Sequence, residues 1–379
     1  MRVDAVDPFL EPRHRELRGR VQAFGNQHLR TQPREDADPF EEVRELSRAL
    51  AGEGFFEAAV LPPYGSMDAR SLVVAREGLA YFSLLASSTL GMQGLGSHPI
   101  SLAGTDAQRK RWLPAVVSGE VQCALALTEP ESGSDLAGVR TRAEPDGSLW
   151  RLSGVKTFVS NAGAAGLYVV LARSSEVEGR KGLSMFLVDA EAPGVGARRM
   201  ETLAPQPLGE LRFDATPAVL LGENGKGYGL ALSCLDLFRP AAGAAACGIA
   251  ARAFDEAVRW ALTRRQFGQY LSQLQGVQMA LAEMDVELKG ARLLVYQAAF
   301  AKDQGAARIS REGAAAKLAA TEMAQRVVDR AVQIHGGQGV MRGVTVERLY
   351  REVRSLRIHE GTSEIQKLVI ARELIKESR

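Results

Sequence analysis

Short β-rich segments occupy the middle of this chain and are enclosed on both sides by long helical patterns. In chain order the segments are QCALALTEP, LWRLSGVKTFVS, GLYVVLAR, GLSMFLVDA and LRFDATPAVLLG. Turn signals such as Asp146-Gly147 and Pro193-Gly194 separate them, and no long helical pattern does. The middle of the chain is therefore predicted to form one compact antiparallel β unit and not an alternating βαβ sheet.

The flanking blocks have the hydrophobic period of α-helices. In EEVRELSRALAGEGF, the side chains of Val43, Leu46 and Leu50 share one face, and ARSLVVAREGLAYFSLLASSTLGMQG is predicted to be one longer helix. Ala-rich helices are predicted again at 228–265 and 274–302. A chain of 379 residues exceeds what one core usually supports. We therefore predict an N-terminal helical domain at 1–122, a middle β domain at 123–227 and a C-terminal helical domain at 228–379.

Composition and charge exclude several classes of protein. A formal charge of +2 gives no reason to expect nucleic acid or an anionic membrane as a partner. The first twenty residues are too charged for a secretory signal, and AAGAAACGIAA is too short to span a bilayer. Three cysteines in apolar surroundings suggest reduced thiols, so we expect a cytoplasmic protein without membrane insertion. The five histidines are scattered, and no Cys/His set has zinc spacing, so no metal site is predicted.

Three common catalytic motifs fail in this sequence. GENGKGYG at 222–229 lacks the spacing of a phosphate loop, and Gly227 replaces the hydroxyl residue after Lys226. GGQGVMRG at 336–343 has Arg342 where the last glycine of a dinucleotide fingerprint should be, and it follows a helical pattern. No nucleophile elbow occurs. A P-loop NTPase, a Rossmann enzyme and a serine hydrolase are therefore disfavoured.

The segment IHEGTSEIQ at 358–366 places a carboxylate in a short joint before a predicted helix. Ser363 and Gln366 have the spacing of a capping box, which predicts a helix start at this point. Glu360 then lies just outside that start, on a turn that Gly361 makes sterically easy. Taken alone, such a carboxylate is most often a solvated loop residue near a favourable helix dipole.

Five stretches together resemble the acyl-CoA dehydrogenase family. They are LALTEPESGSDLAG, KTFVSNAG, RRQFGQYLSQLQ, QIHGGQG and IHEGTSEIQ, in family order, within a resemblance that runs from about residue 40 to the end. The resemblance implies an N-terminal helical domain, a middle β-barrel-like domain and a C-terminal four-helix bundle. It also implies non-covalent FAD, oxidation of an acyl-CoA thioester to the trans-2-enoyl-CoA, and electron transfer to an electron-transferring flavoprotein.

The resemblance assigns two of the stretches to the flavin and its neighbourhood, largely through backbone groups. The first stretch supplies Leu125, Leu127, Thr128, Gly133 and Ser134. The second supplies Phe158, Val159 and Ser160, with the Ser160 hydroxyl near the reactive flavin nitrogen. The family usually has Trp-Ile-Thr at the latter three positions, so Phe158 and Ser160 are mild departures.

Other stretches match positions that reach the FAD of a neighbouring subunit. An arginine suits the diphosphate because its planar fork donates two charge-assisted bonds. The matching residues are Arg264, Gln266, Phe267, Gln275, Gln333 and Gly337. Cofactor contacts are also implied for Thr362, Ser363 and Glu364 at the start of the last helix. The resemblance therefore implies a homotetramer built as a dimer of dimers.

Glu360 matches the catalytic base of the family in its commonest arrangement. The base removes the α-proton while the Glu360 backbone N–H and a flavin ribityl hydroxyl stabilise the thioester oxygen. Some relatives place the base on a helix of the C-terminal domain instead. The matching position in this chain is Phe238, which cannot act as a base, so the resemblance leaves Glu360 as the candidate. Substrate contacts are implied for Ser134, Gly361 and the helical pair Asp236 and Arg239, although such a pair is often only a surface ion pair.

Several alternatives stay open at this point. An acyl-CoA oxidase or an enoyl-CoA reductase of the same fold is a close rival, although oxidases generally have longer chains. A non-catalytic acyl-CoA or acyl-carrier binding protein is a rival of another class, and retention of both the base and the cofactor set argues against it. The sequence leaves the acyl group, the choice between CoA and a carrier protein, and the pathway in fatty acid metabolism open.

Overall fold

The computed structural model describes residues 5–29 and 37–378. Residues 1–4 and 30–36 of the predicted N-terminal domain, and residue 379 of the predicted C-terminal domain, lie outside this range. The described residues form two compact units: one from 5–29, 69–88 and 236–378, and one from 37–68 and 89–235. We call them the helical unit and the β unit. The bounds of the three predicted domains stay a prediction.

The β unit contains a seven-stranded sheet whose strands close on themselves. Its strands are β1 Cys123–Ala126, β2 Arg142–Asp146, β3 Leu149–Ser160, β4 Leu167–Arg173, β5 Leu183–Asp189, β6 Val195–Met200 and β7 Leu208–Leu221. Pairing runs β4–β2–β3–β7–β5 and returns from β5 to β4, while β1 joins β4 and β6 joins β7. The predicted β-barrel-like unit is confirmed, since a closed ring of strands is what distinguishes a barrel from an open sheet.

The strand pairing differs from the prediction in one respect. Most pairs are antiparallel, as predicted, but β1 and β2 each run parallel to β4. β4 is buried along almost its whole length, from Leu167 to Ala172, because it has neighbours on both edges and apolar clusters on both faces. Its continuous apolar run is typical of a strand buried on both faces. The antiparallel prediction is therefore wrong for these two pairs.

Ten α-helices lie in the described part of the chain. They are α1 Pro12–His28, α2 Pro39–Gly52, α3 Ala69–Phe82, α4 Leu84–Ala103, α5 Asp106–Val117, α6 Gly227–Thr263, α7 Gln275–Asp303, α8 Ser310–His335, α9 Thr345–Val353 and α10 Ser363–Glu377. The single helix predicted for residues 69–94 is wrong. It divides between α3 and α4 at Ser83, whose Oγ accepts a hydrogen bond of 3.2 Å from the Ala86 N–H and so starts the second helix.

Small residues let three helices of the helical unit approach closely. A Cβ added at Gly243 of α6 would lie 3.0 Å from Val295 Cγ2 of α7 and 3.4 Å from Ala320 Cβ of α8. α8 also packs against α9 and α10. The Ala-rich composition of the predicted helices therefore has a packing reason, because only short side chains fit between backbones this close.

α6 is by length and composition able to cross a membrane, but its most apolar 18-residue window is 78% buried inside the protein. Such burial is typical of a core helix. The stretch AAGAAACGIAA, by itself too short to span a bilayer, is thus part of a 37-residue helix.

Candidate active site

Glu360 occupies a strained turn between two helical segments of the helical unit. A 3-10 helix, Arg354–Arg357, ends just before it, and α10 begins three residues after it. The φ angle of Glu360 is 56°, in the left-handed region that a glutamate seldom adopts, and Gly361 follows with a φ of 94°. Backbone strain of about 1–3 kcal/mol persists only where the surroundings hold it.

Two side chains hold the carbonyls of this turn. The Gln366 amide donates to the carbonyls of Glu360 at 3.2 Å and Gly361 at 2.9 Å. The buried Lys317 of α8 donates from its Nζ to the Gly361 carbonyl at 2.8 Å. Glu360 and Gly361 are thus both tied to α10, and Gly361 is also tied to α8. Sequence reasoning assigned no such role to Lys317 or Gln366.

The predicted capping box at the start of α10 is wrong. Thr362, and not Ser363, is the N-cap, and its Oγ1 accepts from the Ile365 N–H at 3.4 Å. Ser363 instead donates to Glu322 at 2.5 Å, and Gln366 is turned toward the Glu360 turn. The cause is a tertiary contact. The carboxylate of Glu322 on α8 accepts the hydrogen bond of the serine hydroxyl that would otherwise cap the helix.

The Glu360 carboxylate is buried and has no hydrogen-bond partner. Its side chain is 6% exposed, and neither carboxylate oxygen accepts a hydrogen bond from any described residue. The Glu360 N–H likewise donates to no described residue. Buried polar groups are nearly always satisfied, so a buried carboxylate left without hydrogen bonds points to a missing ligand.

Burial and charge act on this carboxylate in opposite directions. Desolvation raises the pKa of Glu360, and the positive charges of Arg76, Lys317 and Arg239 oppose the increase. Desolvation, with the charges of Lys317 and Arg76, lowers the pKa of His359 to about 3. The imidazole is therefore neutral at pH 7, and its 3.8 Å approach to Glu360 is not an ion pair.

The predicted substrate residues Asp236 and Arg239 form a buried pair on α6. Arg239 Nη1 lies 2.8 Å from Asp236 Oδ1, and Asp236 also accepts from Ser310. Their side chains are 14% and 5% exposed, so this is not a solvated surface ion pair. Phe238, at the alternative position for a base, is fully buried. Arg239 lies near enough to Glu360 for their charges to interact.

In the β unit, a buried ion pair fixes the segment that follows β1. Glu129 accepts from the N–H groups of Arg140 at 2.7 Å and Thr141 at 2.8 Å, and from Lys156 Nζ at 2.8 Å. Lys156 also donates to the Leu127 carbonyl at 3.0 Å. The pair thereby connects the two stretches that carry the predicted flavin residues of this unit. Neither Glu129 nor Lys156 was predicted.

A bulge in β3 turns the predicted flavin residue Phe158 outward. The register with β7 shifts between Lys156 and Val159, and the Thr157 N–H bonds to the Thr128 carbonyl at 2.9 Å instead. Phe158 has a φ of 53° and is 60% exposed, an unusual state for a phenylalanine. Val159 is buried and Ser160 is partly buried, and on the loop after Thr128 Gly133 and Ser134 are exposed.

The residues predicted to serve a neighbouring subunit lie on the surface of the helical unit. A short hairpin, β8 Arg265–Gln266 and β9 Gln269–Tyr270, follows α6. Phe267 at its tip is 88% exposed with a φ of 52°. The other predicted members of this set, Arg264, Gln266, Gln275, Gln333 and Gly337, are also exposed. Their exposure within one chain is what a contact to a second subunit requires.

The buried cation Arg76 was also missed. It stands with Glu77 inside the otherwise apolar run SLVVAREGLAYF, just as Lys317 stands inside AAAKLAA. Charged residues in apolar helical runs were the signal that could have identified both, because such residues are seldom fully buried without a purpose.

Profiles of three domains of one family match the chain in order. The acyl-CoA dehydrogenase N-terminal domain matches residues 11–120, the middle domain 124–216 and the C-terminal domain 225–375. With the fold described above, these matches define an FAD-dependent oxidoreductase. The chain belongs to the acyl-CoA dehydrogenase family.

Relatives and solved structures resemble this chain over nearly its whole length. The 3-(aryl)acrylate reductase of Clostridium sporogenes is 35% identical over 97% of this chain and 100% of its own. The caffeyl-CoA reductase-Etf complex subunit CarC of Acetobacterium woodii is 31% identical, covering 97% and 100%. The butyryl-CoA dehydrogenase structure of Megasphaera elsdenii is 30% identical with a TM-score of 0.89, covering 97% and 99%.

Proposed function

We propose that this protein oxidises an acyl-CoA thioester to the trans-2-enoyl-CoA, with Glu360 as the base that accepts the α-proton. The observation that supports this most strongly is that the buried Glu360 carboxylate has no hydrogen-bond partner among the described residues. Glu360 lies on a strained turn that Lys317 and Gln366 hold in place. A carboxylate without hydrogen bonds in a dry site is a stronger base than one in water. The positive charges of Arg76, Lys317 and Arg239 favour its ionised form.

The same turn supplies a donor for the thioester. The α-proton becomes removable only if the negative charge that develops on the thioester oxygen is stabilised. The Glu360 N–H has no partner among the described residues and is the donor that we assign to that oxygen. Substrate contacts are proposed for Gly361, Asp236, Arg239 and Ser134.

The residues of the β unit fit FAD as the cofactor. An exposed aromatic side chain at a strained bulge, beside an exposed glycine-serine loop, suits a planar ring with polar edges. FAD, when bound, supplies the acceptor for the two electrons and the hydrogen that leave the β-carbon. The residues that would hold it are Leu125, Leu127, Thr128, Gly133, Ser134, Phe158, Val159, Ser160, Thr362, Ser363 and Glu364.

The direction of the reaction is a second question, since three of the similar proteins are named as reductases or reductase subunits. By microscopic reversibility, an enoyl-CoA reductase would use Glu360 to deliver the α-proton that a dehydrogenase removes. The alternative proposal is therefore the same site operating as an enoyl-CoA reductase. An anaerobic assay with acyl-CoA and an oxidised dye, set beside one with enoyl-CoA and a reduced dye, separates the two directions. If the protein were an oxidase, it would instead reduce oxygen as fast as it reduces the dye.

The proposed partners are an electron-transferring flavoprotein and further copies of this chain. One relative is named as a subunit of a reductase-Etf complex. Met279 and Val286, seven residues apart on α7, are 58% and 69% exposed, which gives that helix an uncovered apolar stripe. With the exposed hairpin at Phe267, this stripe supports a homotetramer in which the hairpin, Gln275, Gln333 and Gly337 serve the partner's FAD.

Purification tests the proposed function directly. We expect yellow protein that releases close to one FAD per chain on denaturation and is bleached anaerobically by a suitable acyl-CoA. Protein that neither carries FAD nor takes it up on reconstitution would contradict the proposal. A panel of acyl-CoA esters with a dye acceptor then identifies the acyl group.

A further inference from the structure

Two aromatic rings stack between the C-terminal ends of α6 and α8. The ring centroids of Trp260 and His335 lie 5.0 Å apart, with an angle of 18° between the ring planes. His335 is buried, and its Nδ1–H donates to the Ala331 carbonyl at 2.7 Å, which fixes the orientation of the imidazole. Burial lowers the pKa of His335, so the ring that faces the indole is neutral at pH 7. The stack is therefore a fixed contact between two helices in the helical unit.

Trp260 lies next to the first segment that is predicted to serve the FAD of a neighbouring subunit. The Arg264 N–H donates to the Trp260 carbonyl at 2.8 Å, so the last turn of α6 continues directly into the hairpin. The Leu271 N–H then donates to the Arg264 carbonyl at 2.9 Å, which closes the hairpin onto the same residue. The backbone of Trp260 thus carries the hairpin that contains Gln266 and Phe267.

His335 lies between the two residues of the second segment that is predicted to serve this FAD. Gln333 precedes it by two residues, and Gly337 follows it by two. α8 ends at His335, and the Gly336 N–H donates to the Gln333 carbonyl. A Cβ added at Gly339 would lie 3.0 Å from the Cβ of His335, so the turn after α8 packs back against this residue. The positions of Gln333 and Gly337 are therefore linked to that of His335.

We propose that Trp260 and His335 are positioning residues for FAD. Their stack holds the hairpin and the turn after α8 at the spacing that one FAD molecule on the neighbouring subunit requires. The two rings act through Arg264, Gln333 and Gly337, and not by contact with the cofactor. Those three residues are exposed, whereas His335 is buried, so the packing that can hold them in place lies at the stack. Binding segments that are already held in place bind more tightly, because less freedom of motion is lost on binding.

This inference rests on the proposed function, and its test compares FAD affinities among matched variants. The dissociation constant of FAD is measured from the flavin fluorescence released on dilution of the full-length holoprotein. Trp260→Leu and His335→Gln each remove one ring, whereas Trp260→Phe and His335→Phe each retain an aromatic ring. Phe24→Leu and His28→Gln are the controls, since Phe24 and His28 form a stack with the same 5.0 Å separation on α1. Thermal unfolding of each apoprotein is measured in parallel.

We expect Trp260→Leu and His335→Gln each to weaken FAD binding about fivefold to tenfold, which corresponds to the upper range for an aromatic pair. The double variant should lose much less than the product of the two single losses, because both substitutions remove the same contact. Trp260→Phe and His335→Phe should retain most of the affinity.

Three results would overturn this inference, whatever the variants do to thermal stability. They are losses of FAD affinity no larger than those of the Phe24 and His28 controls, equal losses in the variants that retain a ring, and single losses that multiply in the double variant. Wild-type protein that binds no FAD contradicts the proposed function, and with it this inference.

Discussion

Lys317 donates a 2.8 Å hydrogen bond from its Nζ to the carbonyl of Gly361, the residue that follows Glu360. One buried side chain therefore both fixes the strained turn and places a positive charge near the carboxylate. Desolvation lowers the pKa of Lys317 to about 8, so this charge itself changes near neutral pH. Lys317 therefore affects both the position of Glu360 and the pKa of its carboxylate.

Removing this cation should shift the pH dependence of flavin reduction. The positive charge of Lys317 lowers the pKa of Glu360, so Lys317→Gln raises it, and the rising limb of the pH–rate profile should move to higher pH. The maximal rate should also fall, because the Gly361 carbonyl loses its donor. Stopped-flow rates between pH 5 and 9 check this. Lys367→Gln on the exposed side of α10 is the control and should leave the profile in place. An unshifted profile for Lys317→Gln would contradict the proposed coupling.

Burial of the Glu360 charge should lower the free energy of unfolding. Its pKa is raised in the folded state, so its contribution to stability is greatest below its unfolded pKa and is lost as pH rises through its folded pKa. Glu360→Gln removes the ionisable group and should stabilise the protein at pH 8 by about 1–3 kcal/mol, the usual cost of an unsatisfied buried polar group. Near pH 4 the difference should disappear. Denaturant unfolding at both pH values measures it, and a mutant less stable at pH 8 would contradict the electrostatic interpretation.

The buried pair of Lys156 and Glu129 should contribute to both stability and cofactor retention. Lys156→Met leaves the Glu129 carboxylate buried without its cation, which should destabilise the protein by about 3–5 kcal/mol. FAD should also be released more readily, since Lys156 holds the Leu127 carbonyl. Arg151→Met on the same strand breaks the exposed 2.7 Å pair with Asp146 and should cost about 1 kcal/mol or less. Equal effects of the two substitutions would mean that the buried pair has no special role.

The proposed tetramer predicts that the apolar stripe of α7 is covered in solution. Val286→Glu should lower the molecular mass in sedimentation or light scattering and reduce the FAD bound per chain, because the hairpin that serves the partner is displaced. Arg264→Ala should reduce FAD retention with the mass unchanged. Val177→Glu, in a loop of the β unit where Val177 is 53% exposed, is the matched control. Wild-type protein that is monomeric at micromolar concentration and still holds FAD tightly would contradict the tetramer.

The order of helices and strands was predictable because hydrophobic period is a local property. Strand pairing was not, since the parallel partners β1 and β4 are about forty residues apart in sequence and the ring closes between β4 and β5. The helix break at Ser83 carried a local signal, a serine able to cap α4, that the apolar period concealed. Local patterns thus predicted the elements, and tertiary contacts determined how they pair.

In the candidate site, too, some residues were predictable from local sequence and others are brought in by tertiary contacts. Glu360 was found through its motif, and the structure adds its strained φ and its open hydrogen bonds. The charges of Arg76 and Lys317 act on the same carboxylate from helices far away in sequence, so no spacing rule predicts them. The capping role given to Ser363 failed because Glu322 competes for its hydroxyl. The roles of the predicted cofactor and substrate residues stay predictions.

The most direct measurement is anaerobic stopped-flow bleaching of the bound flavin by a good acyl-CoA substrate, in wild type and in Glu360→Gln. The amide is nearly isosteric and keeps the backbone N–H, so FAD and acyl-CoA binding should be retained. It cannot accept the α-proton, and loss of a positioned base typically costs about two to four orders of magnitude in rate. We expect bleaching slowed by at least about a hundredfold. Bleaching within a few-fold of wild type would mean that Glu360 is not the base.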